Sequence, residues 1–444
     1  NLKHTRRLVE AFVDVVNCER HAPFFKGKVE PADRPDVVRI KKGNFYVGFE
    51  SGNSRTRILP PIVDPEKIFG NQSDYSYPEN FLTMPSEEIR QGQVLENRLP
   101  CAMGIFQTTI PAGATFTYTS IIGQADSCAE LNGLLPVITR DGYLEAKAQT
   151  NQEIIDKLSQ KHFICSREPA LDFYARQNFL DNALRGGFPT TLQGREACAT
   201  LHLYSRKHGD LERDYNDFFL TPTHYSQGNS NFRDVNQNRR CDLLFNPDIH
   251  VDNVEHFYNL IQLDGFNPLV IKEVRFTVSD PEKLNSVLAT YIGPEHAQTI
   301  EAYLQEPFTP GELLAYLKEH KIEVKDISET FLGDLLGICK KVHETDYGEG
   351  FWTDHWAYNL DLLENYLVVY PEKYRYLLFE KKTFTFFDNP YRVQPRDEKY
   401  VLWEEKAMQL DAVVFDEEKD ALIRRRAHNG NLVRSEFGRG AIYY

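Results

Sequence analysis

One stretch of this sequence crowds together side chains that hydrogen-bond. It runs His208-Gly209-Asp210-Leu211-Glu212-Arg213-Asp214-Tyr215 and, after a break, Tyr225-Ser226-Gln227-Gly228-Asn229-Ser230-Asn231-Phe232-Arg233-Asp234-Val235-Asn236-Gln237-Asn238-Arg239-Arg240. Each hydroxyl of a sugar both donates and accepts, so a pyranose site calls for Asp, Asn, Gln and Arg at this density, with aromatic faces for the apolar side of the ring. Asp210, Asn229, Arg233, Asp234, Gln237 and Arg239 are the candidate binding residues. The plainer reading is a polar surface loop. Against it stand Arg233 beside Asp234, and Arg239 beside Arg240, among uncharged amides, where a solvated loop more often carries Lys and Glu.

A second stretch, Gly348-Glu349-Gly350-Phe351-Trp352-Thr353-Asp354-His355-Trp356-Ala357-Tyr358-Asn359-Leu360-Asp361, holds two of the three tryptophans. Trp352 and Trp356 are four residues apart and share a face on a helical turn. Asp354 lies between them. A carboxyl group crowded by indole rings favours its protonated form, and a protonated carboxyl near neutral pH can act as a general acid. The plainer alternative is a Trp pair anchoring a helix, with Asp354 as its N-cap. Other candidates are weaker. Gly186-Gly187 reads as a helix terminator before Phe188-Pro189, His202 and His208 lack partners at metal-ligand spacing, and Arg424-Arg425-Arg426 reads as a solvated face. No G-x-S-x-G, P-loop or dinucleotide fingerprint is present, so no metal and no cofactor is expected.

The elements that must position these residues fall into two kinds. Between residues 35 and 125, short alternating runs recur at 45–49, 102–106 and 116–122, punctuated by turn residues, which predicts an antiparallel β domain. Residues 109–115 predict a hairpin. Beyond Gly133 the period becomes helical, at 146–158, 170–184, 254–263, 282–288, 311–318, 331–342 and 357–369, with Pro310-Gly311 at a helix start. Strands first and helices after predict a β domain followed by an all-α domain.

Composition narrows the function classes. At 444 residues with 41% hydrophobic side chains, two or three domains with sizeable cores are feasible. A net charge of -14 repels nucleic acid but not a neutral glycan. No apolar run approaches the roughly eighteen residues that cross a bilayer. Seven scattered cysteines with no C-x-x-C pair suit reduced thiols and a cytoplasmic protein. The sequence opens without Met and stops inside an apolar run at Tyr443-Tyr444, from which a longer native polypeptide is expected.

On these residues the chain resembles the cellobiose and chitobiose phosphorylase family, and especially its larger relatives acting on β-1,3-glucan oligosaccharides. The family's barrel motif Gly-Phe-Arg-Asp-Gln-Leu-Gln-Asp is similar to Asn231-Phe232-Arg233-Asp234-Val235-Asn236-Gln237-Asn238. Its Gly-Asp-Trp-Asn-Asp motif, whose last Asp is the general acid, is matched by Gly350-Phe351-Trp352-Thr353-Asp354 at the Gly, the Trp and the final Asp. Its proline-glycine hairpin looks like Ile110-Pro111-Ala112-Gly113, and the strand ending that follows looks like Ile121-Ile122-Gly123-Gln124. Phe351, Thr353 and Asn238 depart from the pattern and bear on the linkage cut.

The resemblance implies a β-sandwich over residues 1–132 (its C-terminal part), a helical linker over 133–168 and the first part of an (α/α)6 barrel over 169–444. It implies inverting phosphorolysis of a β-glucan oligosaccharide by inorganic phosphate, with Asp354 as acid. Arg233, Asp234, Gln237, Arg239, Asp210, Asn229, Trp352, Trp356 and Tyr358 would line the sugar site. A second copy of the chain is a candidate partner. Two rivals stay open: an inverting hydrolase, whose extra carboxylate would be Asp361 or Asp264, and a non-catalytic carbohydrate-binding protein.

Overall fold

A computed structural model describes residues 2–30, 35–52, 55–203, 221, 223–268, 270–326, 328–343, 345–346, 354–382, 384, 387–388, 390–409, 413–427 and 442–443. The chain divides into two compact units, Asn1–Asp156 and Lys157–Tyr444, and the division falls inside the 133–168 segment. Strands and helices occur in both, so the fold is a multidomain combination of β and α structure.

In the first unit five strands form one antiparallel sheet: β1 (Val13–Val16), β2 (Phe24–Gly27), β3 (Gly43–Gly52), β4 (Arg55–Ile58) and β5 (Thr117–Ala125). The long strand β3 pairs along its length with β5, while β2 and β4 share its other edge. Alternation sends Phe45, Val47 and Phe49 to one face. There they pack with Phe24, Ala125 and the Leu131 and Ile138 side chains of helix α1 (Cys128–Ile138). The hairpin expected at 109–115 is present only as its turn, in which Ala114 N–H donates to the Pro111 carbonyl at 3.0 Å. β5 pairs instead with β3 over nine residues, which satisfies far more backbone than a short hairpin would.

Helices form near most of the stretches where the 3.6-residue period predicts them, although the one expected over 254–263 spans Asp252–Tyr258 and stops five residues early. After α2 (Tyr143–Ser159), α3 (Pro169–Gly186) ends at Gly187, whose φ of 83° is the left-handed conformation that glycine adopts without strain. The unit is nevertheless not all-α. β6 (Phe188–Gln193) and β7 (Cys198–Leu203) form a hairpin, because Thr191 and Thr200 stand opposite each other and Leu192 and Leu201 face the core. Helices α4 (Phe232–Arg239) and α5 (Asp252–Tyr258) follow, then strand β8 (Arg275–Val278).

Four more helices come next: α6 (Pro281–Tyr291), α7 (Pro294–Tyr303), α8 (Pro310–Glu319) and α9 (Ser328–Gly337). Helix α8 starts in a reciprocal cap, with Glu312 N–H on the Thr309 hydroxyl and the Glu312 carboxylate on Thr309 N–H. The helix expected over 331–342 stops at Gly337, and β9 (Cys339–Val342) pairs with β8. A side chain at Gly337 would strike Ala197, so the glycine serves close packing as well as termination. One core joins β6 to β9 with α6 to α9. A second joins α4 and α5 to α10 (His355–Val369) through Phe232, Val235, Phe257, Leu362 and Tyr366.

Candidate functional site

Helix α4 is the polar motif folded. Asn231 caps it, its side chain accepting N–H bonds from Arg233 at 2.9 Å and Asp234 at 3.4 Å. Its inward stripe is Phe232, Val235, Asn236 and Arg239, the i, i+3, i+4, i+7 set, and all four are buried. Two of those four are polar, so each needs a partner inside. Arg233, Asp234 and Asn238 are half-buried, and Gln237 is exposed.

Asn236 finds its partner on α10. The inward residues of α10 are His355, Asn359, Leu362 and Tyr366. The Phe232 and His355 rings stack with centroids 5.0 Å apart. One turn on, Asn236 Nδ2 donates to Asn359 Oδ1 at 2.6 Å, and Gln237 Nε2 donates to the Tyr358 hydroxyl at 2.7 Å. Further along, Arg240 Nη1 reaches Asp361 at 2.5 Å, and Asn365 Nδ2 donates to the Arg240 carbonyl at 2.7 Å. Contacts advance in the same sense along both helices, so α4 and α10 run parallel. Their N-terminal ends, with Arg233 and Asp234 on one and Asp354 on the other, lie side by side.

A turn at residues 262–268 grips the start of α10. His355 Nδ1 lies 2.5 Å from Asn267 Oδ1, and Asn267 Nδ2 donates to the Gly265 carbonyl at 3.3 Å. The amide oxygen only accepts, so the imidazole donates through Nδ1–H. Burial pushes the ring down to about 4, with the Asp354 carboxylate pulling it back up and Arg233 lowering it further, so it is neutral. Gly265, at φ 92°, lets the Trp356 indole lie against its backbone.

Asp354 itself precedes the helix with its side chain exposed and makes no capping bond. Trp356 is 40% exposed, and Tyr358 is half-buried under the Arg240 guanidinium, 5.7 Å from ring centre to charge. Asn229 is half-buried on the segment leading to α4. Asp210 and Trp352 lie outside the described residues, and with Trp352 the expected indole pair around Asp354. The two carboxylates weighed as a second catalytic group are engaged: Asp361 pairs with Arg240, and Asp264 accepts N–H bonds from Phe266 at 3.1 Å and Val393 at 2.7 Å.

Arg239 points inward. Its Nε donates to the Gly186 carbonyl at 2.5 Å, and it borders a small cavity lined also by Gln227, Gly228, Ser230 and His256. Around it lies a buried polar cluster that the sequence did not announce. Asp242 accepts from Asn253 at 3.2 Å and lies 3.4 Å from His202, Lys341 bonds Asp252 and the Thr200 carbonyl, and His256 meets His343 edge-on at 4.5 Å. Burial pushes Asp242 up to about 7 and His343 down to about 3, and holds His202 and His256 well below the usual imidazole range. The His202–Asp242 contact is therefore not an ion pair. These residues sit on β7, β9, α5 and the segments between, at no common spacing, so no sequence period could join them.

Comparison with known protein families and with curated proteins finds no match to this chain.

Proposed function

We propose that the protein catalyses inverting phosphorolysis of β-linked gluco-oligosaccharides, of the β-1,3 type, releasing α-glucose 1-phosphate and a shortened glucan. One observation carries the reading: the Phe232–His355 stack brings the residues next to each ring, Arg233 and Asp354, to neighbouring helix ends from positions far apart in sequence. Arg233 and Asp234 supply the forked donor and the acceptor that ring hydroxyls need, and Trp356 an exposed aromatic face.

In the reaction a phosphate oxygen attacks the anomeric carbon and the glycosidic C–O bond breaks. Asp354 gives its proton to the departing oxygen. Phosphate is already an anion and needs no base, so one carboxylic acid suffices. The engagement of Asp361 by Arg240, and of Asp264 by two backbone N–H groups, agrees with that economy. In this reading the first unit carries a β-sandwich and the second the opening part of an (α/α)6 barrel with strands between its helices. All seven cysteines are free thiols, which suits a cytoplasmic enzyme.

Incubating the full-length protein with laminari-oligosaccharides tests the proposal. Glucose 1-phosphate formed only when phosphate is present supports it. Release of glucose without phosphate identifies a hydrolase, and binding without turnover a carbohydrate-binding protein.

A further inference from the structure

His355 follows the acid directly, yet it is almost wholly buried. Its ring ties its own helix to two other segments. It continues α10 from Asp354, it stacks on Phe232 at the start of α4, and it donates to Asn267 in the 262–268 turn. That turn is itself fixed by Asp264, which bonds Phe266 N–H on one side and Val393 N–H on the other, and by the Gly265 N–H on the Gln262 carbonyl.

A stacked ring can still slide or spin in its plane. The Nδ1–H bond removes that freedom, because rotation away from Asn267 would leave a buried donor and a buried acceptor unmatched. With Phe232 fully buried and adjacent to Arg233, this imidazole is the contact nearest the two helix ends that carry Arg233 and Asp354, while Asn236–Asn359 and Arg240–Asp361 join the same helices farther along.

We propose that His355 is a positioning residue, held by Asn267 and stacked on Phe232, that fixes the carboxyl group of Asp354 relative to the sugar held at Arg233. The inference rests on the phosphorylase reading. It separates two things that a binding site alone would not: holding the sugar, which Arg233 and Asp234 do, and aiming the proton, which His355 enables. Errors of about 1 Å in such aim cost on the order of a hundredfold in rate.

The test measures kcat, KM for a laminari-oligosaccharide and the melting temperature for the wild-type protein and for His355→Phe, Asn267→Leu and Asn267→Asp. His355→Phe keeps the stack but not the bond, Asn267→Leu removes the acceptor, and Asn267→Asp keeps an oxygen in place. Expected are falls of about ten- to a hundredfold in kcat for the first two with KM within about threefold, and recovery to within about fivefold for Asn267→Asp. Should Asn267→Leu fail to fold, Asn267→Ser withdraws the acceptor with a smaller polar side chain and is expected to show the same split.

Lower melting temperatures with kcat unchanged in the His355 and Asn267 variants overturn the positioning role and leave the phosphorylase reading standing. A wild-type protein that forms no glucose 1-phosphate overturns both.

Discussion

At Asp354 the side chain is exposed and makes no capping bond, so neither the carboxyl group crowded by indole rings nor the helix cap expected from the sequence is seen among the described residues. Asp354→Asn keeps the shape and cannot deliver a proton, so phosphorolysis is expected to fall by about 10² to 10⁴ with oligosaccharide binding retained. Asp361→Asn is expected to be much milder, because Asp361 serves as the partner of Arg240 at a half-exposed ion pair. Steady-state rates and binding isotherms on both variants decide the point, and complete loss at Asp361 with little at Asp354 would favour a hydrolase. Arg233→Lys is expected to raise KM by tenfold or more, roughly the worth of one charge-assisted bond, since an ammonium cannot grip two oxygens as a planar fork does. Unchanged kinetics would make Arg233 a surface charge. The sequence showed which residues could do this chemistry because polar density is a local property. It could not show that Arg239 turns inward to Gly186, since the facing of one residue in a polar helix depends on a carbonyl 53 residues away.

Helices α4 and α10 meet through a buried amide pair beside the apolar contacts of Phe232, Val235, Leu362 and Tyr366. Asn236 and Asn359 are fully buried and share one hydrogen bond, leaving Asn236 Oδ1 and Asn359 Nδ2 unmatched. Either single change to Leu orphans the surviving amide and is expected to cost about 1–3 kcal/mol. The double change Asn236→Leu/Asn359→Leu replaces both amides by near-isosteric apolar groups and is expected to be no less stable than wild type. A double-mutant cycle by urea unfolding measures it, and simple addition of the two losses would refute the pairing. Helix positions were legible in the chain because 3.6-residue periodicity, Pro310 and Gly187 act over a few residues. The β6–β7 hairpin was not, since its strands are short, threonine-rich and without strong alternation, and they exist because α9 covers them. Gly337 likewise ended a helical pattern for a reason, contact with Ala197, that lies 140 residues away.

Across the molecule, buried histidines set the response to acid. His202, His256, His343 and His355 are neutral when folded, with His343 near 3 and His355 near 4. Unfolded histidine takes up a proton near pH ~6.5, so below that pH each one favours the unfolded chain by about 1.4 kcal/mol per pH unit until its folded value is reached. Asp242 acts oppositely: folded it keeps its proton up to about 7, unfolded only to about 4, so it adds stability as pH falls between those values. Four groups outweigh one. The second unit's melting temperature is expected to drop between pH 7.5 and 5.5, and to drop further in Asp242→Asn, where the opposing contribution is gone. Scanning calorimetry at three pH values checks this, and a melting temperature that rises on acidification would contradict it.

The α4–α10 contact joins residues 123 positions apart. At a synthesis rate of about 5–20 residues per second, roughly 6–25 s separate the emergence of Asn236 from that of Asn359. Through that interval Phe232 and Val235 have no α10 to cover them, so the ribosome-bound chain offers a chaperone an apolar stripe on the helix that also carries Arg233 and Asp234.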